Sequence, residues 1–365
     1  VKELLEEITR WRGAGKGVAL ARVVGTDGSG PRDPGAAMAV NEDSEVIGSV
    51  SGGCVEGAVL TEGLKVLERG IPKLVTYGIA DDDAFAVGLT CGGTIHIFID
   101  DFNDELDAAI TEALQRDEPA ALATIIDGPG TGSKLLVRPD AEPIGSLGHP
   151  ELDRVVTRDA LGELEAGRTG TRHYGVHGEA RREEGVKVFI ESFALPPKMV
   201  IFGAIDFTAA LARLGRVLGY HVTVCDARPV FATRKRFPMA NEVVNEWPDR
   251  YLAVVGKELG PRDAVCVLTH DPKFDVPAIM AAVETKVGYL GVMGSRRTHD
   301  KRLERLKEAG LDDDGIARLM SPIGLDLGAR TPEETAVAIC AEIIASRTGK
   351  EAPSLKDREG PIHKR

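Results

Sequence analysis

The sequence predicts an α/β chain in two parts. A β-rich α+β domain with an internal repeat covers residues 1–194, a doubly wound parallel-sheet domain covers 195–349, and a flexible tail covers 350–365. Three observations predict this. Short β-branched runs alternate with glycine- and proline-rich turns in the first half, two stretches of that half echo each other, and after Leu195-Pro-Pro197 buried-strand runs alternate with helical segments.

Taken in order, Leu4 to Trp11 has helical spacing, and Val18 to Val24 alternates like a strand. A loop rich in glycine and proline runs from Gly25 to Gly35, and Ala36 to Val40 and Glu45 to Val50 read as strands. Gly57 to Arg69 reads as a helix, and Pro72 to Tyr77 and Thr94 to Asp100 as strands. Val18-Ala-Leu-Ala-Arg-Val-Val-Gly25 is then echoed by Ala120-Ala-Leu-Ala-Thr-Ile-Ile-Asp127, Val46-Ile-Gly-Ser49 by Pro143-Ile-Gly-Ser146, and Ile95 to Asp100 by Val186 to Glu191. Residues 17–100 and 119–191 thus read as two copies of one unit, against the alternative of chance likeness between short β-rich segments.

The copies differ where chemistry would sit. Copy one has Ser51-Gly-Gly-Cys-Val-Glu56 where copy two has Gly148-His-Pro-Glu-Leu-Asp153, and Thr90-Cys-Gly-Gly93 has no counterpart before Val186. In the second half, Met199 to Gly203 is a buried-strand run, Phe207 to Leu218 a helix and His221 to Asp226 a strand, and the alternation continues to Arg347. Thr331-Pro-Glu-Glu334 has the spacing of a helix capping box.

Composition narrows the function. No stretch approaches the roughly 18 uninterrupted apolar residues of a membrane span. The net charge of −12 repels polyphosphate backbones, which argues against nucleic acid. Five cysteines without framework spacing, and a charged, amphipathic Val1 to Gly13, predict a reduced cytoplasmic protein. Glycine, at 42 of 365 residues, exceeds the usual ~7% and points to many turns and close backbone approaches.

Several segments carry chemistry. Ser51-Gly-Gly-Cys-Val-Glu-Gly57 leads into a helix, which would put Cys54 in the first turn, where free N–H groups and the helix dipole favour a thiolate or an anion. Cys91-Gly-Gly-Thr94 mirrors its composition; the alternative for both is a small buried residue where two backbones pack. No zinc spacing accompanies them. Gly25 to Gly35, with Gly30 and Arg32, could cradle an anion or be an ordinary hairpin loop. Gly203-Ala-Ile-Asp-Phe-Thr208 falls where a dinucleotide fold carries its glycines, with Asp226 at the end of the next strand; Ile205 and Asp206 disfavour NAD(P) there, by bulk and by like charge. His270 and Asp271 end another strand as a candidate base or a loop anchor. Gly294-Ser-Arg-Arg297 reads as an anion site at a helix start or as a capped helix with solvated arginines.

Together, Gly28-Ser-Gly-Pro-Arg32, Gly35-Ala-Ala-Met38, Ser51-Gly-Gly-Cys-Val-Glu56 and Cys91-Gly-Gly93 resemble the N-terminal domain of the XdhC/CoxI family, the xanthine dehydrogenase accessory proteins. Pro196 to Ala204, Cys225-Asp-Ala-Arg-Pro229, Leu268-Thr-His-Asp271, Gly291-Val-Met-Gly-Ser-Arg296 and Ser321-Pro-Ile-Gly-Leu-Asp326 are similar to that family's Rossmann-like C-terminal domain. The resemblance implies a cytoplasmic maturation factor rather than a catalyst. It would hold the molybdenum cofactor (molybdopterin), support its sulfuration with a cysteine desulfurase-type donor, and deliver it to an apo-molybdoenzyme of the xanthine dehydrogenase or CO dehydrogenase type, as a homodimer.

On that reading Arg32, Ser295 and Arg296 hold anionic groups beside the backbone of Gly30, Gly52, Gly53, Gly92, Gly203 and Gly294, with Asp226 at the same sheet edge. Cys54 and Cys91 protect or ligate the metal side, and Glu56 carries a proton. Family members commonly have Gly-Ala-Gly where this chain has Gly203-Ala-Ile-Asp206. The rival readings are an NAD(P)-dependent oxidoreductase and a small-ligand sensor. A molybdenum hydroxylase itself is excluded, since five scattered cysteines cannot hold its iron-sulfur clusters.

Overall fold

The computed structural model describes residues 1–28, 32–78, 93–102, 105–179 and 185–357. They form two compact units that meet in sequence at Leu195 and Pro196. No helix among the described residues is long and apolar enough to cross a membrane.

In the first unit a 3-10 turn (Lys2–Leu4) enters α1 (Leu5–Gly13), whose Leu5, Ile8 and Trp11 recur at helical spacing and are buried. Then β1 (Val18–Asp27), β2 (Ala37–Asn41), β3 (Val46–Gly48), α2 (Glu56–Arg69), β4 (Lys73–Tyr77) and β5 (Thr94–Asp101) build an antiparallel sheet of order β3-β2-β1-β5-β4. Beyond α3 (Glu105–Gln115), β6 (Ala120–Asp127), β7 (Lys134–Val137), β8 (Ile144–Gly145), α4 (Pro150–Ala166), β9 (Gly170–Gly175) and β10 (Gly185–Phe193) build a second, of order β8-β7-β6-β10-β9. Strands of equal rank occupy equal places.

Even the irregularities correspond. The β1–β5 register slips between Val23 and Gly25, and the β6–β10 register slips between Lys187 and Val188, leaving Val24 and Ile126 as the extra residues. Each sheet alternates. Ala19, Ala21 and Val23 pack with Val59 and Val66 of α2, while Ala121, Ala123 and Ile125 pack with Leu152 and Val156 of α4. On the opposite faces, Val24 and Phe98 meet Ile126 and Phe189 in one cluster, so the two sheets share a seam.

The alternation of β1 also turns Arg22 into that seam, where it is 1% exposed. Its Nη2 lies 2.8 and 2.9 Å from the two Asp100 oxygens, and its Nη1 lies 3.6 Å from Glu191. Lys134 Nζ reaches Asp107 at 2.8 Å and Asp100 at 3.1 Å. Burial alone would lower the Lys134 pKa, but Asp100 and Asp107 raise it above the ordinary lysine value. These buried charges survive only as a set.

In the second unit β11 (Lys198–Phe202), α5 (Asp206–Val217), β12 (His221–Cys225), β13 (Glu242–Val244), α6 (Pro248–Val255), β14 (Ala264–Val267), α7 (Pro272–Val283), β15 (Tyr289–Val292), α8 (Arg296–Glu308), α9 (Asp313–Ala317), β16 (Leu319–Met320) and α10 (Pro332–Thr348) alternate. The six strands are parallel, in the order β13-β12-β11-β14-β15-β16. Ranked within the unit this is 3-2-1-4-5-6, the Rossmann order, whose ligand crevice opens where the order reverses, between β11 and β14. α10 opens with the Thr331–Glu334 capping box. A 3-10 turn (Leu355–Asp357) follows, and residues 358–365 of the expected tail lie outside the described residues.

Gly203 sits at the reversal with φ of +109°. A Cβ there would lie 2.9 Å from Thr269 Cγ2 and 3.1 Å from the Thr269 nitrogen. Gly203→Ala is therefore expected to lower stability by about 1–3 kcal/mol, a shift that urea unfolding followed by circular dichroism would detect.

Candidate functional site

The Ser51-Gly-Gly-Cys turn joins β3 to α2 and is built around one carboxylate. Glu56 Oε1 accepts from Ser49 Oγ (2.6 Å) and from the nitrogens of Ser51 (2.9 Å) and Val50 (3.3 Å). Its Oε2 accepts from Ser51 Oγ (2.5 Å), Gly53 N (2.9 Å) and Val55 N (3.2 Å). Ser51 Oγ in turn accepts from the nitrogens of Cys54 and Val55, both at 3.0 Å. Copy two shortens the device: Asp153 accepts from Ser146 Oγ and Leu147 N, each at 2.7 Å.

Three expectations change. α2 begins at Glu56, so Cys54 precedes the helix rather than lying in its first turn. The N–H groups of Gly52, Gly53 and Cys54 are already engaged by Ser49, Glu56 and Ser51, so they do not wait for an anion. Glu56 anchors the loop instead of standing ready to exchange a proton. Burial would raise its pKa, but the hydroxyls of Ser49 and Ser51 and the backbone donors outweigh that and bring it to about 2.

A carboxylate with a depressed folded pKa stabilises fully above its unfolded value and loses that contribution as pH falls towards the folded one. Glu56→Gln is expected to cost about 1–2 kcal/mol at neutral pH. It should also flatten the fall in stability between about pH 4.5 and 2, as read from urea midpoints against pH.

What the anchored loop leaves open is the Gly52–Gly53 backbone and the Cys54 thiol. Both glycines have positive φ, +78° and +115°, and the space where a Cβ would stand is empty to 4 Å. Cys54 is half-buried, with its inner side against the Val55 and Val59 core. The other described cysteines are buried thiols: desolvation pushes Cys225 up to about 12 and Cys340 up to about 11, and raises Cys266 as well. Among the described residues, Cys54 is thus the cysteine whose thiol is not sealed in a core.

Gly30, Cys91 and Gly92 lie outside the described residues. Gly93 is described, and a Cβ on Gly28 would come within 3.7 Å of its Cα, so the glycine-rich loop and the end of the second cysteine motif are neighbours. Arg32 is exposed. The same loop contributes Gly25, Asp33 and Pro34 to a cavity of about 550 Å³ between the two repeats, which His96 lines from the first repeat and His173 and Lys187 from the second.

In the second unit Asp226 departs from the dinucleotide expectation. Both of its oxygens are taken, by the Arg228 guanidinium at 2.9 and 2.7 Å and by Ala204 N at 2.7 Å. Burial would raise its pKa, but these donors keep it below the usual carboxylate range. An acidic residue already so bonded has no oxygen held ready for a ribose hydroxyl. Asp206, by contrast, turns its side chain into solvent, with Arg236 at 3.8 Å, so its charge obstructs the crevice less than the sequence suggests.

His270 is exposed at the carboxyl end of β14. Asp271 accepts from Lys273 N at 3.1 Å as the cap of α7 and pairs with the Lys273 ammonium at 3.2 Å, so it does not serve as an orienting partner for His270. Ser295 caps α8 by accepting from Thr298 N at 3.2 Å, and Arg296 and Arg297 are exposed in its first turn. Gly294 stands at φ of +156° directly over a buried guanidinium, Arg302, whose two terminal nitrogens lie 3.4 Å from where its Cβ would be. Sequence reasoning missed Arg302 and its partner Asp275, because their pairing spans from α7 to α8.

Known proteins match this arrangement along the chain. The model of the XdhC and CoxI family matches residues 11–78 and 113–175, and that of the XdhC Rossmann domain matches residues 199–343. A probable xanthine dehydrogenase subunit of Bacillus subtilis (strain 168) is 27% identical over 335 residues, covering 90% of this chain and 92% of that protein. The molybdenum cofactor insertion chaperone PaoD of Escherichia coli (strain K12) is 27% identical over 341 residues, covering 93% and 87%. A crystal structure of a xanthine dehydrogenase from Bacillus halodurans superposes with a TM-score of 0.68 over 97% of this chain and 98% of that one; at 24% identity this speaks for the fold alone. With both halves matched, in order and over folds of the same kind, the chain belongs to the XdhC and CoxI family.

Proposed function

We propose that this chain is a molybdenum cofactor insertion chaperone: it binds the cofactor, shields it, and releases it into an apo-molybdoenzyme. The observation that carries the reading is the rigid Gly52-Gly53-Cys54 turn. It offers an unobstructed backbone approach beside the one described cysteine that is not sealed in a core. Copy two puts His149-Pro150 after its glycine and offers no thiol there, so the repeat supplies a scaffold and copy one the chemistry. The cargo is an anionic pterin with soft sulfur and metal at one end, which suits a thiol at the metal side and arginines at the anionic side.

The name of the Escherichia coli relative supports the same role. In its finer form the proposal takes the client to be of the xanthine dehydrogenase or CO dehydrogenase type. A cysteine desulfurase-type donor supplies sulfur while the cofactor is held, and the chaperone works as a cytoplasmic homodimer. Arg32 in the first unit, and Ser295 and Arg296 in the second, are the residues assigned to anionic groups.

The test is cofactor retention. The protein is purified without oxygen from a host that makes the cofactor, and assayed for molybdenum and for the fluorescence of oxidised pterin. Near-stoichiometric amounts of both are expected. Protein free of pterin that binds NADP instead would overturn the proposal.

A further inference from the structure

Arg302 rises from the second turn of α8 and is 3% exposed. Its Nη2 donates to Asp275 at 3.0 Å and to the Met293 carbonyl at 2.8 Å. Asp275 also accepts from Thr269 Oγ1, so its charge is shared between two donors. Nη1, equally buried, has no hydrogen-bond partner among the described residues. An unpaired buried guanidinium nitrogen costs free energy unless something supplies an acceptor.

Its surroundings indicate the acceptor. Both terminal nitrogens lie 3.4 Å from where a Cβ on Gly294 would stand, its φ of +156° is one that side chains rarely adopt, and the next residue caps α8. Helix geometry leaves the N–H groups of Arg296 and Arg297 without intrahelical acceptors, and those residues bring positive side chains where acidic ones are favoured. The other described buried side-chain atoms of this unit that lack partners are His299 Nδ1, on the same helix, and Ser321 Oγ. Ser321 follows β16, whose Met320 pairs with Gly291 of β15, so it lies beside the strand end that leads to Gly294.

We propose that the start of α8 binds a phosphate monoester, seated on Gly294 and the first-turn N–H groups, with Arg302 as its buried cation. Asp275 and the Met293 carbonyl act as positioning groups that aim the guanidinium and leave one edge of it for the ligand. This deepens the chaperone reading by naming the group of the cargo held here, and it rests on that reading only for which molecule carries the phosphate.

The experiment uses the full chain and inorganic phosphate at constant ionic strength, with calorimetry for affinity and amide hydrogen exchange for location. Saturable binding is expected, with exchange slowed at residues 295–299. Arg302→Gln should weaken binding about tenfold or more, and Arg302→Lys should recover part of the loss. Should the glutamine variant fail to fold, the exchange pattern of the unaltered protein and the lysine variant decide. No saturable binding, or binding that leaves 295–299 unprotected or is indifferent to Arg302, overturns the inference. Loss of phosphate binding with pterin retention intact removes this site alone; the reverse removes the chaperone reading alone.

Discussion

Cys54→Ala is expected to strip the purified protein of nearly all its molybdenum and pterin while shifting stability by no more than about 1 kcal/mol. The small structural cost follows from the half-buried thiol, which borders a core already filled by Val55 and Val59. The large chemical cost follows from the turn. Glu56 and Ser51 hold the backbone of residues 51–55 in one conformation, so the thiol is presented at a fixed place. Two companions separate the thiol from the backbone beside it. Cys54→Ser keeps the volume and the loop and should lose metal as the alanine does, since a hydroxyl is a poor ligand for a soft site. Gly53→Val keeps the thiol but forces a β-branched side chain to φ of +115° and closes the open approach. Cys266→Ala provides the contrast: its thiol is sealed in the sheet core, so it should lower stability and leave retention per folded molecule unchanged. Full retention by Cys54→Ala would remove the thiol from the mechanism.

The sequence discloses this fold where structure is local. β1 is legible because Val18–Val24 is a short, valine-rich apolar run bounded by glycine, and the α10 start because a capping box needs only four consecutive residues. The strand expected over Glu45–Val50 is only Val46–Gly48 long, because Ser49 onward is recruited to the Glu56 carboxylate, an attraction that no propensity encodes. Asp226 departs from expectation for a related reason: position and spacing suit a ribose acceptor, but Arg228, two residues on, bends back to claim it. Long-range pairings leave the faintest trace. Arg302 looks like one of many solvated charges on α8 until α7 is packed beside it, and Arg22 reads as a lone polar residue in an apolar strand, with nothing local to name its partners.

Arg22 also carries the largest stability effect expected in the molecule. Arg22→Met nearly preserves volume but leaves Asp100 and Glu191 buried without their principal cation, while Lys134 stays paired with Asp100 and Asp107. A broken buried network of this kind costs about 3–5 kcal/mol, against the roughly 5–15 kcal/mol of a whole domain. The second unit does not share the defect, so the measurement must isolate the first. Trp11 is buried in the first unit and Trp247 belongs to the second, so in a Trp247→Phe background fluorescence in urea follows the first unit alone. Removing the charges together tests the cause. If the penalty comes from an orphaned carboxylate, Arg22→Met with Asp100→Asn should be markedly less destabilised than the two single changes sum to. Additive losses would mean that Arg22 acts through packing, with its ion pairs contributing little to holding the two repeats together.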